Sequence, residues 1–196
     1  MIIPAHLIGV FVGCMLGDAH MANRPGRVTR FTMKQSIINF PFLWSTYIML
    51  SSYCSAYPRL IKDKRSYSVE IVTRAYPVLS FVYNLFHFGG TKGIHNDLIH
   101  YLSPQALAYW IMCDGAHLAG GVVLCTDSFT LPDTVKLINM LIIRYQLDPY
   151  LAKSGSGPRI VIRAKDLDKL RAIVTPHMCQ FSMYKLAGVS RANYIK

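Results

Sequence analysis

The chain has 196 residues, 52% of them apolar, with 21 Lys and Arg against 10 Asp and Glu for a formal charge of +11. This supplies enough apolar material for one core or two small fused ones, and it excludes a disordered chain. The charge predicts attraction to polyanions, chiefly nucleic acid or an anionic membrane surface.

Residues 6–16 are apolar at almost every position and read as a buried helix. At about half the length a bilayer crossing needs, and closed by Asp18, this run predicts no membrane span. The start of the chain shows neither a signal peptide nor an Arg-rich presequence. The protein is therefore expected to act where it is made, or after removal of an import signal. Residues 28–33 follow Pro25-Gly26 and read as a strand, and 41–52 as a helix with an aromatic and aliphatic face. Residues 57–61 and 67–73 read as strands around the basic turn Lys62-Asp63-Lys64-Arg65. Helices are expected over 78–86 and 97–101. Ser103-Pro104 then opens a helix over 105–113, because Ser caps well and Pro suits the first turn. A strand over 121–128 and a helix over 132–145 follow. The hairpin 149–153/159–163 turns around Ser154-Gly155-Ser156-Gly157. A helix over 166–173 and a short helical stretch over 176–183 close the chain.

The order helix–strand–helix–strand–strand–helix occurs twice, which implies two similar units with a boundary between residues 101 and 104. A pseudo-two-fold axis follows, and duplex DNA is itself close to two-fold. The five cysteines, Cys14, Cys54, Cys113, Cys125 and Cys179, form no CxxC pair. They read as reduced, mostly buried thiols in a reducing compartment.

Each unit's first helix ends in one Asp beside a small residue: Gly17-Asp18-Ala19 and Cys113-Asp114-Gly115. An acid at a helix C-terminus opposes the helix dipole. Two such ends side by side call for a cation between them, and divalent metal would serve. Gly9, Gly13 and Gly17 form a small-residue stripe that admits close approach of a second helix, where Ala106 and Ala108 are also small.

"LIGVFVGCMLGDAH" and "ALAYWIMCDGAH" resemble the two signature helices of LAGLIDADG homing endonucleases. The resemblance extends through "FTMKQSIINFPFL", "GTKGIHNDLIHYLSPQALAYW", "LCTDSFTLPDTVKLINMLIIRYQLD", "PRIVIRAKDLDKLRAIVTPHM" and "MYKL", about four fifths of the chain in order and spacing. It implies an α+β fold of two pseudo-symmetric αββαββα-like half-domains, residues 1–101 and 102–196. They would join at a paired-helix interface, with antiparallel sheets forming a DNA-binding saddle. It implies a site-specific double-strand DNA endonuclease that hydrolyses phosphodiester bonds across the minor groove and leaves short 3′ overhangs.

The resemblance assigns metal binding to Asp18 and Asp114, and support of the attacking water or scissile phosphate to Lys92 and Lys185. Gln35 would line the site just after the first strand. Asp127 stands where the family often has Gln. Mg²⁺ is the implied ion, with Mn²⁺ able to substitute.

The basic residues Arg24, Arg27, Arg30 and Lys34 lie around the first strand, Arg59, Lys62, Lys64 and Arg65 around the first hairpin, and Arg74 just after it. Lys153, Arg159 and Arg163 belong to the second hairpin, where alternation sets Arg159, Val161 and Arg163 on one face. They are expected to contact DNA, more through phosphates than bases. The partner implied is duplex DNA with a long asymmetric target site, bound by a monomer. The family context implies an intron-encoded protein of an organelle, a mitochondrion before a chloroplast. Two alternatives use the same basic surface. One is an RNA-binding protein of this fold, an intron maturase or structural RNA partner. The other is a DNA-binding regulator without catalysis, which would not need both acids.

Overall fold

The computed structural model describes residues 3–22, 29–64, 66–88, 91–118, 120–155, 157–188 and 191–194. In chain order the elements are α1 (Ala5–Leu16), β1 (Ala19–Ala22), β2 (Arg30–Ser36), α2 (Phe40–Leu50), β3 (Arg59–Lys62), β4 (Tyr67–Val72) and α3 (Leu79–Phe86). A small pair follows, β5 (His87–Phe88) and β6 (Thr91–Lys92), then α4 (Leu98–Tyr101). Next come α5 (Pro104–Asp114), β7 (Gly115–Leu118), β8 (Gly121–Cys125), α6 (Leu131–Tyr145), β9 (Pro149–Ser154), β10 (Gly157–Ile162), α7 (Leu167–Val174), α8 (Tyr184–Ala187) and α9 (Arg191–Tyr194).

The fold is α+β. Two four-stranded antiparallel sheets have the same order, β1-β2-β4-β3 and β7-β8-β10-β9. Sequence reasoning missed β1 and β7, the short strands that follow the two apolar helices. Four residues are too few for a period of two to register. It also missed β5 and β6, which carry Lys92.

Local chemistry sets the helix ends. The Ser103 hydroxyl accepts from Ala106 N at 3.2 Å and Pro104 fills the first turn, starting α5. Thr130 caps α6 by accepting from Asp133 N, while its own hydroxyl donates to the Asp133 carboxylate at 2.7 Å. α6 ends at Gln146, in the left-handed region at φ 50°.

α1 and α5 pack along their length, and this is why both are apolar all round. From Val10 to Leu16 every residue of α1 is buried, and so is every residue of α5 from Ala106 to Met112. The glycine stripe is what lets them touch. An ideal Cβ at Gly9 would sit 2.7 Å from Ser103 Oγ, and one at Gly13 would sit 2.5 Å from Tyr109 Cβ and overlap the Ala106 carbonyl. At Gly17 it would overlap Cys113 Cβ. Phe11 meets Phe31 edge-on, with centroids 5.0 Å apart, tying α1 to the first sheet.

Each sheet turns one face to this core. In β2, Phe31, Met33 and Gln35 are buried while Arg30, Lys34 and Ser36 are exposed. In the second sheet Val122, Leu124, Ile160 and Ile162 are fully buried on the matching face. All five cysteines are free thiols. Among the described residues no helix is long and apolar enough to cross a membrane.

Candidate functional site

The close crossing of α1 and α5 brings their C-terminal ends together. A Cβ at Gly17 would lie 3.5 Å from Asp114 Cγ, so the residue before Asp18 abuts Asp114. Asp114 feels the charge of Asp18. Burial first, and then the charge of Asp18, push the Asp114 carboxyl up to about 6, against the opposing pull of Lys185 and Lys92. Asp18 is exposed and Asp114 half-buried. Their conflict is the one the sequence predicted from two acids at helix C-termini.

Part of the cation needed comes from the chain. Lys185, on α8, is buried and donates its Nζ to three carbonyls of the last turn of α5: Ile111 at 3.1 Å, Met112 at 2.7 Å and Cys113 at 3.1 Å. It is a cationic cap on the helix that ends in Asp114. Burial lowers its pKa, while Cys113, Asp18 and Asp114 draw it back up, in that order. Lys92 projects from β6 across to the segment after β8. Its Nζ donates to Ser128 Oγ at 3.1 Å and lies 4.5 Å from the centre of the Phe129 ring. Burial lowers its pKa and Asp114 opposes that shift.

Counting residues along the chain puts Asp18 with Lys92 and Asp114 with Lys185. The tertiary structure instead brings both lysines into the field of Asp114: Lys185 caps the helix that ends in it, and Lys92 reaches it from β6.

Gln35 sits at the end of β2 on its buried face and donates Nε2–H to Asp18 Oδ2. Asn39 Nδ2 in turn donates to Gln35 Oε1 at 2.9 Å. Strand register gives the position matching Gln35 in the second sheet. Met33 faces Ala19 as Leu124 faces Gly115, so Thr126 occupies it and Asp127 is one residue further. The Thr126 hydroxyl donates to Pro158 O at 2.6 Å. Asp127 pairs with Arg159 at 3.5 Å and its charge helps to raise Asp114.

Among the described residues no three His, Cys, Asp or Glu side chains converge as a metal-holding group. The donor set is two carboxylates of hard oxygen, so a bound ion would draw its remaining ligands from water or substrate.

The basic residues divide by face. Register places Arg30, Lys34 and Arg59 on the open face of the first sheet, with Lys34 and Arg59 both opposite Glu70. Lys62, opposite Tyr67, falls on the other face, and so does Lys153, opposite Pro158, in the second sheet. Both lie at strand ends. Arg159 shares the open face with Val161, and Arg163, just past β10, lies over the Tyr150 ring at 5.0 Å. Lys64 and Arg74 are exposed. Arg24, Arg27 and Arg65 lie outside the described residues.

Several of these cations already have acidic partners. Lys34 pairs with Asp63 at 2.9 Å, Arg59 with Glu70 at 2.5 Å, and Arg163 with Asp148. The Ser68 hydroxyl and then Lys34 hold Asp63 below the usual carboxylate range, and Lys165 foremost does the same for Asp148. Sequence reasoning did not find these partners, nor Asn39 and Ser128. Asn39 alone had a local signal, four residues after Gln35 at the start of a helix.

Comparison with known proteins shows the family and the fold. The model of the LAGLIDADG DNA endonuclease family matches residues 8–170. Cytochrome b mRNA maturase bI2 of Saccharomyces cerevisiae is 28% identical over 202 residues, which takes in 93% of this chain. The chain spans only 48% of that relative's length. Intron-encoded endonuclease ai4 of Dictyostelium discoideum is 30% identical over 132 residues, 64% of this chain and 80% of that protein. The structure of the homing endonuclease I-WcaI bound to its DNA recognition sequence superposes with a TM-score of 0.89 at 22% identity, covering 95% of this chain and 88% of that one.

Proposed function

The chain belongs to the LAGLIDADG DNA endonuclease family, and from that premise we propose that it is a site-specific double-strand DNA endonuclease using divalent metal. One observation carries the reading: Asp18 and Asp114 lie together at the ends of two tightly crossed helices, with the pKa of Asp114 raised to about 6 by burial and by Asp18. Like charges gathered at such cost fit a site that takes up cations. We propose residues 1–101 and 102–196 as the two half-domains, each giving one acid, in a chain that acts as a monomer.

Asp18 and Asp114 would hold the ions, and Mg²⁺ suits two carboxylates completed by phosphate and water oxygens, with Mn²⁺ as substitute. Bound divalent ions supply charge neutralisation and activation of water in such hydrolysis. The chain's own residues do the rest. Gln35 orients the Asp18 carboxylate through its Nε2–H. Lys185 fixes the end of α5 and so the place of Asp114. Lys92, held by Ser128, presents a cation beside Asp114 where a scissile phosphate would sit. The open faces of the two sheets, carrying Arg30, Lys34, Arg59 and Arg159, would lie against a long asymmetric duplex, with Lys62, Lys64, Arg74, Lys153 and Arg163 at its margins; Arg24, Arg27 and Arg65 are proposed as further DNA contacts. Phosphates would replace the acidic partners of the paired cations.

The test is incubation with duplex DNA spanning the intron-lacking insertion site, in Mg²⁺ or Ca²⁺. A Mg²⁺-dependent double-strand cut, lost in Asp18→Asn and in Asp114→Asn, is the expected result. A second reading, an RNA-binding maturase or structural RNA partner, is favoured by the likeness to maturase bI2. Tight binding to structured intron RNA with no DNA cut would select it. An organellar setting, a mitochondrion before a chloroplast, fits the cytochrome b and intron-encoded relatives.

A further inference from the structure

We propose that Arg191 is a positioning residue for one of the two acids, acting through a one-way chain of hydrogen bonds that runs Arg191–Asn39–Gln35–Asp18. The inference rests on the nuclease reading for its consequence, though not for its geometry. Arg191, on α9, donates Nη1–H to Asn39 Oδ1 at 2.6 Å, and its Nη2–H goes to the Ile38 carbonyl. Asn39 Nδ2 donates to Gln35 Oε1, and Gln35 Nε2 donates to Asp18 Oδ2.

The direction of this chain follows from the chemistry of its ends. A guanidinium only donates, and an ionised carboxylate only accepts. Between them stand two side-chain amides, each able to turn over and exchange its oxygen for its nitrogen. Arg191 requires the Asn39 oxygen to face it. The Asn39 amide nitrogen then faces Gln35, so the Gln35 oxygen faces Asn39 and its nitrogen faces Asp18. Remove the donor at the far end and the polarity is still set by Asp18, but the Asn39 oxygen loses its partner and nothing holds Asn39, and through it Gln35, in line. Gln35 then spends part of its time away from Asp18, and the carboxylate is free to turn. Partners one step beyond a metal-binding ligand act in this way, by fixing its orientation.

The device serves one acid. In the second sheet the matching position is Thr126, whose hydroxyl is committed to Pro158 O. Arg191 also lines a small cleft with Asn39, Lys185 and Tyr184, and its hydrogen bonds go to Asn39 and Ile38. Disturbing Arg191 should therefore uncouple cleavage of the two strands.

The test uses the full chain and an end-labelled duplex that the wild type cuts, with each strand's rate read separately. Arg191→Met should slow one strand about 10- to 100-fold, leave the other within about twofold, and leave duplex affinity unchanged, so that nicked product accumulates. The same strand should slow in Asn39→Asp, which still accepts from Arg191 but cannot donate to Gln35. The double variant Arg191→Met with Gln35→Met should be no slower than Gln35→Met alone, because both act through one contact. Equal slowing of both strands, an additive double variant, or wild-type rates would overturn the proposal. A second readout does not depend on cleavage: solvent exchange of the Gln35 side-chain amide protons, followed by NMR in the metal-free protein. They should exchange about tenfold faster in Arg191→Met with the backbone spectrum otherwise preserved, and unchanged exchange would refute the hydrogen-bond chain. If the wild type cuts no DNA, the nuclease reading fails and this exchange measurement still decides the role of Arg191.

Discussion

Asp114→Asn should stabilise the metal-free protein at neutral pH. Burial and Asp18 raise the Asp114 carboxyl from 3.8 to about 6. A rise of about 2 units corresponds to ~3 kcal/mol at ~1.4 kcal/mol per unit. Asp114 is only half-buried, and solvent screening reduces the figure to ~1–2 kcal/mol. The sign follows from proton linkage. A carboxyl that holds its proton more tightly when folded favours the folded state fully below pH 3.8 and loses that contribution as pH rises to about 6. Asn, neutral at every pH, keeps it. Thermal melts in EDTA should therefore show the variant and the wild type together below pH 4 and separating as pH rises. Above pH 6 the variant should melt about 2–8 °C higher, at ~2–4 °C per kcal/mol for a chain of this size. A variant that melts at or below the wild type at pH 7.5, or a gap that does not close on acidification, would show that the two acids do not oppose each other. Added Mg²⁺ should raise the wild-type melting temperature more than that of Asp114→Asn, and equal shifts would argue against Asp114 as a ligand.

Three further outcomes are expected. Gly13→Ala places a methyl group against the Ala106 carbonyl and 2.5 Å from Tyr109 Cβ; it should lose ~2–3 kcal/mol in urea unfolding, and a loss below ~0.5 kcal/mol would mean the helices can part without cost. Lys185→Met leaves the Ile111, Met112 and Cys113 carbonyls without their shared donor, and should cost ~1–3 kcal/mol together with DNA cleavage; full stability would separate the cap from the fold. Asp127→Asn removes a competitor for Arg159, so duplex affinity at low salt should rise about 3–10-fold and the gain should shrink as salt is added. Filter binding at two salt concentrations measures it, and an unchanged affinity would place Arg159 outside the interface.

The fold was largely legible in the chain because its main features are local. Two helices apolar on every side have to be buried, and the Gly9, Gly13, Gly17 stripe marks where one backbone can approach another. Ser103-Pro104 marks where α5 begins. The Asp that ends each helix shows up in the repeat, and the parallel packing of those helices, Gly9 at Ser103 and Gly17 at Cys113, brings the two acids to one end. The short strands β1 and β7 escaped because four residues carry too little pattern to separate strand from loop.

The site's wiring was not legible for a different reason. A hydrogen bond between side chains far apart in the chain leaves no mark on either local sequence. Spacing pairs Asp18 with Lys92 and Asp114 with Lys185, yet the fold brings both lysines into the field of Asp114, since β6 carries Lys92 over to Ser128 and α8 tucks Lys185 beneath α5. Charge composition announces a basic surface, but register and ion pairing decide that Lys34 and Arg59 share the open face, that Lys62 does not, and that Asp63 and Glu70 already occupy two of the cations. The sequence by itself determined which residue types the protein buries and which it repeats, because burial and periodicity are properties of single elements. Only the tertiary structure decided that Arg191 meets Asn39, 152 residues away, because the direction of a hydrogen bond exists only once both partners are in place.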